Sequence, residues 1–187
     1  MAFLDNKTVK ISDVTITDNA PFFQTKAISG KVIKRMAGPQ FLSLDFTANY
    51  MREDLDKVKK FIATHKFSVP FDFPMGYFSE YIGNANNVTA RAKANKGARL
   101  VPVGVFNGVL EAGTYIKFNN HPKIYQVTED VQSNGTMKIF PGLYQEVNAG
   151  EPVNFRNISG SFILTNDNYQ FDVKSATKMK FTATENV

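Results

Sequence analysis

The residue types that most often carry out catalysis are scarce in this chain and stand far apart. Histidine occurs only as His65 and His121, and cysteine is absent, so a metal site built from histidines alone and a thiol nucleophile are both excluded. Glu129 and Asp130 are adjacent on a predicted strand, where neighbouring side chains point to opposite faces and cannot act as an acid–base pair. We therefore expect no enzyme activity, no catalytic residue, no cofactor and no metal. His65 is interpreted as a helix-end residue and His121 as a turn residue.

The composition indicates a globular protein that is rich in β-structure. The chain has 187 residues, of which 43% are hydrophobic and 21% charged, and both values are ordinary for a globular domain. It contains 17 Phe and 7 Tyr, and aromatic side chains favour strands. No apolar stretch approaches the ~20 residues that cross a membrane. We expect a soluble protein that is made in a cytoplasm and does not insert into a membrane.

The formal net charge of +5 includes a basic stretch at Arg91, Lys93, Lys96 and Arg99. One interpretation is attraction to phosphate. The other is a solvated loop that keeps the protein soluble. The sequence favours the loop, because the cations alternate with Ala, Asn and Gly and no aromatic residue lies among them to stack on a base.

Alternating apolar residues predict two strands at the start of the chain. Residues 8–17 alternate with a slip of one position at Ser12-Asp13, which indicates a β-bulge or two short strands. A turn or loop follows at Asp18-Asn19-Ala20-Pro21, and Phe22-Phe23 is interpreted as an apolar pair in this loop. Residues 26–35 predict the next strand, with Gly30 as a candidate bulge.

The next segments predict a one-sided strand, the main helix and an edge strand. Residues 41–48 alternate between apolar and polar types, as in a strand with one wet face. Residues 52–64 have apolar side chains at helical spacing, and this short helix must pack on a sheet to be stable. Residues 69–74 contain two prolines, which is typical of an edge strand.

The second half predicts a series of short strands. Residues 75–98 give no strong pattern and indicate a domain junction or extended loop. After residue 99, strands recur without an intervening helix, and Asn134-Gly135 predicts a two-residue hairpin, so we expect a compact antiparallel barrel or sandwich. The tail predicts strands at 161–164, at Tyr169 to Val173 and at 178–182, and we expect them to return to the first sheet.

Three segments between residues 110 and 155 combine turns and strands in a characteristic order. They are Ala112-Gly113-Thr114-Tyr115-Ile116, His121-Pro122-Lys123-Ile124-Tyr125-Gln126-Val127-Thr128 and Lys138-Ile139-Phe140-Pro141-Gly142-Leu143. This pattern resembles the distal tail proteins of long-tailed bacteriophages, especially those with an oligosaccharide/oligonucleotide-binding (OB) barrel inserted in a ring-forming domain. The upstream order of early strands, helix and Pro/Phe strand is similar as well.

The resemblance implies a fold and a function. The fold class is α+β, mainly β. It comprises a ring-forming β-sheet domain with one helix, formed by residues 1–74 and 161–187, and an inserted small antiparallel OB-like barrel, formed by residues 75–160. The function is that of a structural virion protein that forms a homohexameric ring at the distal end of the tail, where the tail tube meets the hub or baseplate.

The same resemblance names the partners. They are further copies of the chain, the tail tube protein and the hub or baseplate protein, with fibre or side proteins as additional candidates. DNA would only pass through the lumen of the ring. The alternative function is an OB-fold binding module for carbohydrate or single-stranded nucleic acid.

Two groups of aromatic and apolar residues are the candidate sites. Phe22 and Phe23, with Val69, Phe71 and Phe73 of the edge strand, are the candidate oligomer interface; the alternative is that the Phe22 and Phe23 side chains fold back into the core.

The candidate ligand face of the barrel consists of Tyr115, Tyr125 and Tyr144. These rings could stack on a sugar or a base. The alternative, which the sequence favours, is that such strand residues pack the barrel interior.

Overall fold

The structure is a computed structural model that describes residues 7–172 and 174–187. Within these residues the chain is mainly β, with twelve strands and one α-helix. It divides into two compact units: unit 1 is Met1–Phe71 with Phe162–Asn186, and unit 2 is Asp72–Ser161 with Val187. Residues 1–6 of the predicted ring domain lie outside the described residues. The ring-forming and OB-barrel roles of the two parts stay predictions.

Seven of these strands lie in unit 1 or cross its boundary with unit 2 along the chain. Five of them form an antiparallel sheet, and the other two form a separate hairpin. The seven strands are β1 (Lys10–Asn19), β2 (Phe22–Lys26), β3 (Val32–Met36), β4 (Phe41–Met51), β5 (Phe71–Pro74), β11 (Ser159–Leu164) and β12 (Ala176–Glu185). The strand order of the sheet is β1-β4-β12-β11-β5. β5 lies at an edge, so the edge-strand prediction is confirmed for residues 71–74 but not for 69–70, while β2 and β3 form the hairpin.

One face of this sheet carries the core of unit 1. Leu42, Leu44 and Phe46 of β4 are buried, which confirms the alternation read from residues 41–48. The predicted helix is confirmed as a 3-10 turn at Arg52–Asp54 followed by α1, Leu55–His65. The Phe61 ring of α1 packs edge-on against Phe181 of β12, with ring centroids 5.7 Å apart, so the helix covers the apolar face.

The other face of the sheet is polar from β1 across β4 to β12. Residues directly opposite each other in an antiparallel pair share a face. The resulting polar face consists of Lys10, Ser12, Thr15, Thr17, Ser43, Asp45, Thr47, Asn49, Lys178, Lys180, Thr182 and Thr184. These twelve positions are continuous across the three strands, and apolar residues flank them on the same face: Phe41 opposite Asn19, Met51 opposite Ala176, and Ile163 of β11 opposite Thr184.

Irregular backbone near the start of unit 1 agrees with one sequence prediction and contradicts another. The register of β1 on β4 shifts between Ser12 and Thr15, and Asp13 has a φ of 51°, so the predicted bulge is confirmed. The continuous strand predicted over residues 26–35 is wrong. Gly30, with a φ of 81°, lies in the turn between β2 and β3, where its freedom from a side chain permits the left-handed backbone.

Unit 2 contains a second antiparallel sheet of five short strands. They are β6 (Leu100–Pro102), β7 (Tyr115–Phe118), β8 (Tyr125–Val127), β9 (Thr136–Phe140) and β10 (Val153–Asn154), in the order β10-β7-β8-β9-β6. The sheet curls around a core that includes Val101, Ile116, Phe118 and Ile139. A strand series without an intervening α-helix was predicted for this part of the chain.

Residues 88–91 join the two edges of this curled sheet. Val153 N–H donates to Val88 C=O at 2.9 Å on the β10 side, and Arg91 N–H donates to Pro102 C=O at 2.8 Å on the β6 side. Val88 and Ala90 are buried in the core. The prediction of a junction or extended loop over residues 75–98 is therefore wrong for this segment, because its short contribution to the sheet shows no alternation long enough to recognise.

Two further turn and strand predictions need correction. Asn134-Gly135 does form a tight turn, in which Gly135 N–H donates to Gln132 C=O at 3.0 Å. It does not join two strands directly, because β8 ends at Val127 and β9 begins at Thr136. The strand predicted at Tyr169 to Val173 is wrong for residues 169–172, which have no regular structure, and Val173 lies outside the described residues.

Candidate assembly surface

The hairpin formed by β2 and β3 is the most exposed element of unit 1. We call residues 22–36 the hairpin arm. Its two strands pair with each other, with Phe22 opposite Met36 and Thr25 opposite Ile33. All ten strand residues are exposed, and within the described residues neither strand belongs to a larger sheet. A two-stranded hairpin is only marginally stable in water, so this arm lacks the support that the other strands have.

Apolar side chains lie on both faces of the hairpin arm. Phe22, Val32 and Met36 share one face, and Phe23 and Ile33 share the other. Phe23 is 72% exposed and Phe22 is 49% exposed. A hairpin that packs on its own core keeps its apolar side chains on one face. The hairpin arm has no such single apolar face.

The hairpin arm also carries most of the net charge. It contains Lys26, Lys31, Lys34 and Arg35 and no carboxylate, so it supplies +4 of the formal net charge of +5. The Lys34 ammonium lies 4.5 Å from the centroid of the Phe22 ring, a cation–π contact that covers part of that ring. Self-repulsion among the cations further disfavours an isolated arm.

The structure divides the predicted interface residues into two groups. Phe22, Phe23 and Val69 are exposed, so the alternative in which the two Phe side chains fold back into the core is wrong. The pair lies on strand β2 and not in the predicted loop.

Phe71 and Phe73 are buried, and their prediction as exposed interface residues is wrong. Edge strands leave backbone groups unpaired, but their alternate side chains still point into the core. On β5 it is Asp72 and Pro74 that face outward.

The predicted ligand face of the barrel is likewise not a surface of exposed rings. Tyr125 is fully buried in the core of unit 2, so its prediction as a ligand residue is wrong. Tyr115 is half-buried and stacks on Phe78 with 4.4 Å between ring centroids, and Tyr144 is half-buried against the core. The alternative of interior packing therefore holds for Tyr125, because the inward positions of a small barrel are filled by side chains.

Replacing Tyr125 with Phe tests the structural role of this residue. The Tyr125 hydroxyl accepts a hydrogen bond from Tyr144 N–H at 3.0 Å and lies 2.9 Å from His121 Nδ1. Tyr125→Phe leaves both groups without this partner, and we expect a loss of about 1–3 kcal/mol in the free energy of unfolding, measured by chemical denaturation. Tyr77→Phe is the matched control, since the Tyr77 side chain is 92% exposed, and it should leave stability unchanged.

Both histidines are buried, and each has a hydrogen-bonding partner within its own unit. His65 is buried at the end of α1, with its Nδ1 3.0 Å from Val69 C=O, as expected for a helix-end residue. His121 lies after β7 and is buried, with its Nε2 3.2 Å from Glu146 C=O. Among the described residues no group of three His, Asp or Glu side chains is placed to hold a metal ion.

Part of the basic stretch at 91–99 pairs within unit 2. Lys93 forms an ion pair with Glu146 at 2.8 Å, and the Arg91 guanidinium donates to the Asn134 side chain. Both contacts are exposed and contribute little to stability. They nevertheless give these two cations partners within the fold.

Sequence reasoning missed Val32, Ile33 and Met36 as members of the assembly surface. The sequence does contain a pattern that could have identified them. Apolar residues occupy both odd and even positions of a short strand that also contains Lys34 and Arg35. Such a strand is apolar and charged on both faces, which a buried strand of a solvated sheet is not.

No protein-family model matches the chain, and no curated protein matches it. In the part of the chain that the structure describes, no helix combines the length and apolar character needed to cross a membrane.

Proposed function

We propose that this chain is a structural virion protein that forms a ring at the distal end of a bacteriophage tail and joins the tail tube to the hub or baseplate. The observation that carries the proposal is the hairpin arm, whose ten strand residues are all exposed and which is apolar on both faces. The hexameric number and the tail location come from the resemblance of the sequence to distal tail proteins.

The arm supports self-assembly because each copy of the chain has one arm that needs cover. A neighbouring copy supplies this cover in a one-to-one ratio, and a repeated head-to-tail contact closes into a ring when its rotation is correct. Permanent contacts of this kind bury roughly 2,000 Å² or more and are apolar at their centre. Phe22, Phe23 and Ile33 provide apolar side chains for such a centre.

The polar face of the five-stranded sheet supports a role as the wall of a lumen. It presents hydroxyl and amide side chains, three lysines (Lys10, Lys178 and Lys180) and Asp45. A wall of this kind stays wet, and its scattered charge gives few strong phosphate contacts, so that DNA passes without being held. The tail tube and hub proteins would then stack on the two rims of the ring.

The curled sheet of unit 2 supports the proposal that the insertion is an OB-like barrel. OB-folds are five-stranded, partly open barrels. Unit 2 has five strands, and residues 88–91 join the edge strands β6 and β10 by backbone hydrogen bonds.

The test of this function is the mass of the purified chain in solution. Size-exclusion chromatography with light scattering is expected to give a whole-number multiple of the chain mass, with six as the number that the resemblance implies. The same mass should persist on dilution, because a permanent interface does not dissociate easily. A single-chain mass at every concentration would reject the proposal.

A further inference from the structure

We propose that the tip of the hairpin arm, residues 26–31, of one copy binds an acidic concavity in unit 2 of a neighbouring copy. The concavity is lined by the segments 80–83 and 111–114. This inference rests on the proposed self-assembly and adds what receives the arm, which is a surface of the same chain with the opposite charge. Each copy then supplies one tip and one concavity, the two different halves of a head-to-tail contact.

The tip of the arm is a closed turn with an apolar residue between two cations. Ala27 N–H donates to Lys31 C=O at 2.9 Å, and Gly30 N–H donates to Ala27 C=O at 2.8 Å. The Ile28 side chain is fully exposed, and Lys26 and Lys31, on either side of it in the chain, are exposed as well. Burial of Ile28 in a partner is favourable, and the two cations that accompany it match a partner surface of negative charge.

The concavity in unit 2 combines room for such a turn with two carboxylates. Its volume is about 550 Å³, within the range of about 300–1,000 Å³ that binding clefts usually have. Glu80 and Glu111 both line it, together with Tyr81, Ala112 and Gly113. Gly113 has open space where a side chain would be, so another backbone can approach closely there.

Tyr81 holds the Glu111 carboxylate in place without neutralising it. The Tyr81 hydroxyl lies 2.7 Å from a carboxylate oxygen of Glu111 and accepts Ala85 N–H at 3.0 Å. Burial, and then the hydrogen bond with Glu111, raise the pKa of Tyr81 above its ordinary value of 10.0, so the phenol is neutral at neutral pH. A hydrogen bond from a neutral donor leaves the charge of a carboxylate intact, and that charge attracts a cation from outside.

The charged groups placed at this concavity are mainly negative. Asp130 adds a third carboxylate, because its Oδ1 accepts the N–H of Ala112, one of the lining residues, at 2.8 Å. Arg156 lies over the Tyr81 ring, 4.8 Å from the centroid, and its guanidinium donates to three backbone C=O groups of residues 81–85 at 3.4, 3.3 and 3.2 Å. Three carboxylates and one guanidinium leave an acidic surface, which is complementary to the basic tip.

The carboxylates of the helical segment in unit 1 offer a poorer match to the tip. Asp54 forms an ion pair with Lys57 at 2.7 Å, and the Asp56 carboxylate lies 3.8 Å from the Lys59 ammonium. A cation from another copy would meet these lysines as well as the carboxylates. The concavity of unit 2 therefore suits the tip better than this second acidic segment does.

Two charge-reversal variants of the full chain test the contact. Lys26→Glu with Lys31→Glu makes the tip acidic and leaves the concavity acidic. Glu80→Lys with Glu111→Lys makes the concavity basic and leaves the tip basic, while Val109 C=O, 3.1 Å from the Tyr81 hydroxyl, remains as its acceptor. Each variant alone brings like charges together at every contact, so light scattering should give a single-chain mass, with a wild-type circular dichroism spectrum.

Mixing the two variants in equal amounts should restore the wild-type mass. In the mixture each acidic tip meets a basic concavity and each basic tip meets an acidic one, so a ring of six closes with alternating variants. A chain with all four substitutions should assemble by itself for the same reason. Restoration of this kind shows that charge, and not misfolding, removed the contact. If the double reversal of the concavity does not fold, Glu80→Lys alone should still raise the concentration needed for assembly about tenfold.

Lys93→Glu with Lys96→Glu is the matched control, because it makes the same change of charge at exposed positions of unit 2 that do not line the concavity. This control should keep the wild-type mass. Ile82 also lines the concavity, but Ile82→Asp adds charge of the sign that already receives the tip and does not oppose the contact.

The inference is overturned if the wild type assembles and either reversal variant keeps its mass, or if the equal mixture of folded variants stays monomeric. A wild-type chain that is monomeric at every concentration instead rejects the self-assembly on which the inference rests. The mass of the wild type therefore separates failure of the proposed function from failure of this contact alone.

Discussion

Replacing Phe22 and Phe23 together with Asp is expected to convert the assembled protein into a folded monomer. Both side chains are exposed in one copy of the chain, on opposite faces of the hairpin arm, so the change costs the isolated protomer little. In an assembly it places a carboxylate in each apolar contact, and burying an unpaired charge costs several kcal/mol. Size-exclusion chromatography with light scattering should show the mass of one chain, and circular dichroism should show the wild-type β signal.

A matched control separates the arm from a general effect of added charge. Ile82→Asp combined with Val105→Asp introduces two carboxylates at exposed apolar positions of unit 2. This control should keep the wild-type mass. If the Phe22→Asp, Phe23→Asp variant elutes with the wild-type mass, the arm does not form the contact and the assembly surface lies elsewhere.

Phe71→Ala is expected to act in the opposite way, by destabilising unit 1 without weakening a contact between copies. The Phe71 ring is 2% exposed and packs edge-on against Phe61 with 5.2 Å between centroids, and against Phe46 at 6.4 Å. Removing a buried Phe side chain costs about 3–5 kcal/mol in the free energy of unfolding. Denaturant titration of the variant followed by circular dichroism measures this loss.

Phe67→Ala provides the control for this prediction. Phe67 follows α1 in the same unit, and its ring is 76% exposed. A surface substitution of this kind should change stability by no more than about 0.5 kcal/mol. Equal, small effects of the two substitutions would mean that Phe71 is not a core residue and would restore it as an interface candidate.

Some elements of unit 1 could be predicted from the sequence alone. Long elements with one periodicity were predictable: residues 41–48 alternate and form β4, and residues 52–64 repeat at helical spacing and form the helical segment. The bulge at Asp13 was one of the two interpretations that the one-residue slip in alternation allowed, the other being two short strands.

Side-chain exposure was not predictable where it depends on the neighbours of a strand. Phe22 and Phe71 are each the first residue of a short strand that contains a second Phe, but only β5 belongs to a larger sheet and packs against the helix. Tyr125 was a ligand candidate for the same reason, because sequence alone does not distinguish the inside of a small barrel from its outside.

The proposed assembly surface was only partly recognisable from the sequence. The hairpin arm contains four cations that appear scattered in the sequence, and they become one charged surface only when residues 22–36 are known to form one element.

Images of the purified wild-type chain by negative-stain electron microscopy test the central claim most directly, which is that this protein acts by assembling with copies of itself through an exposed arm. We expect annular particles with a central opening and six-fold symmetry in class averages, and none in the Phe22→Asp, Phe23→Asp variant. A field of single small particles for the wild type, at concentrations where a permanent ring would be intact, would contradict the account.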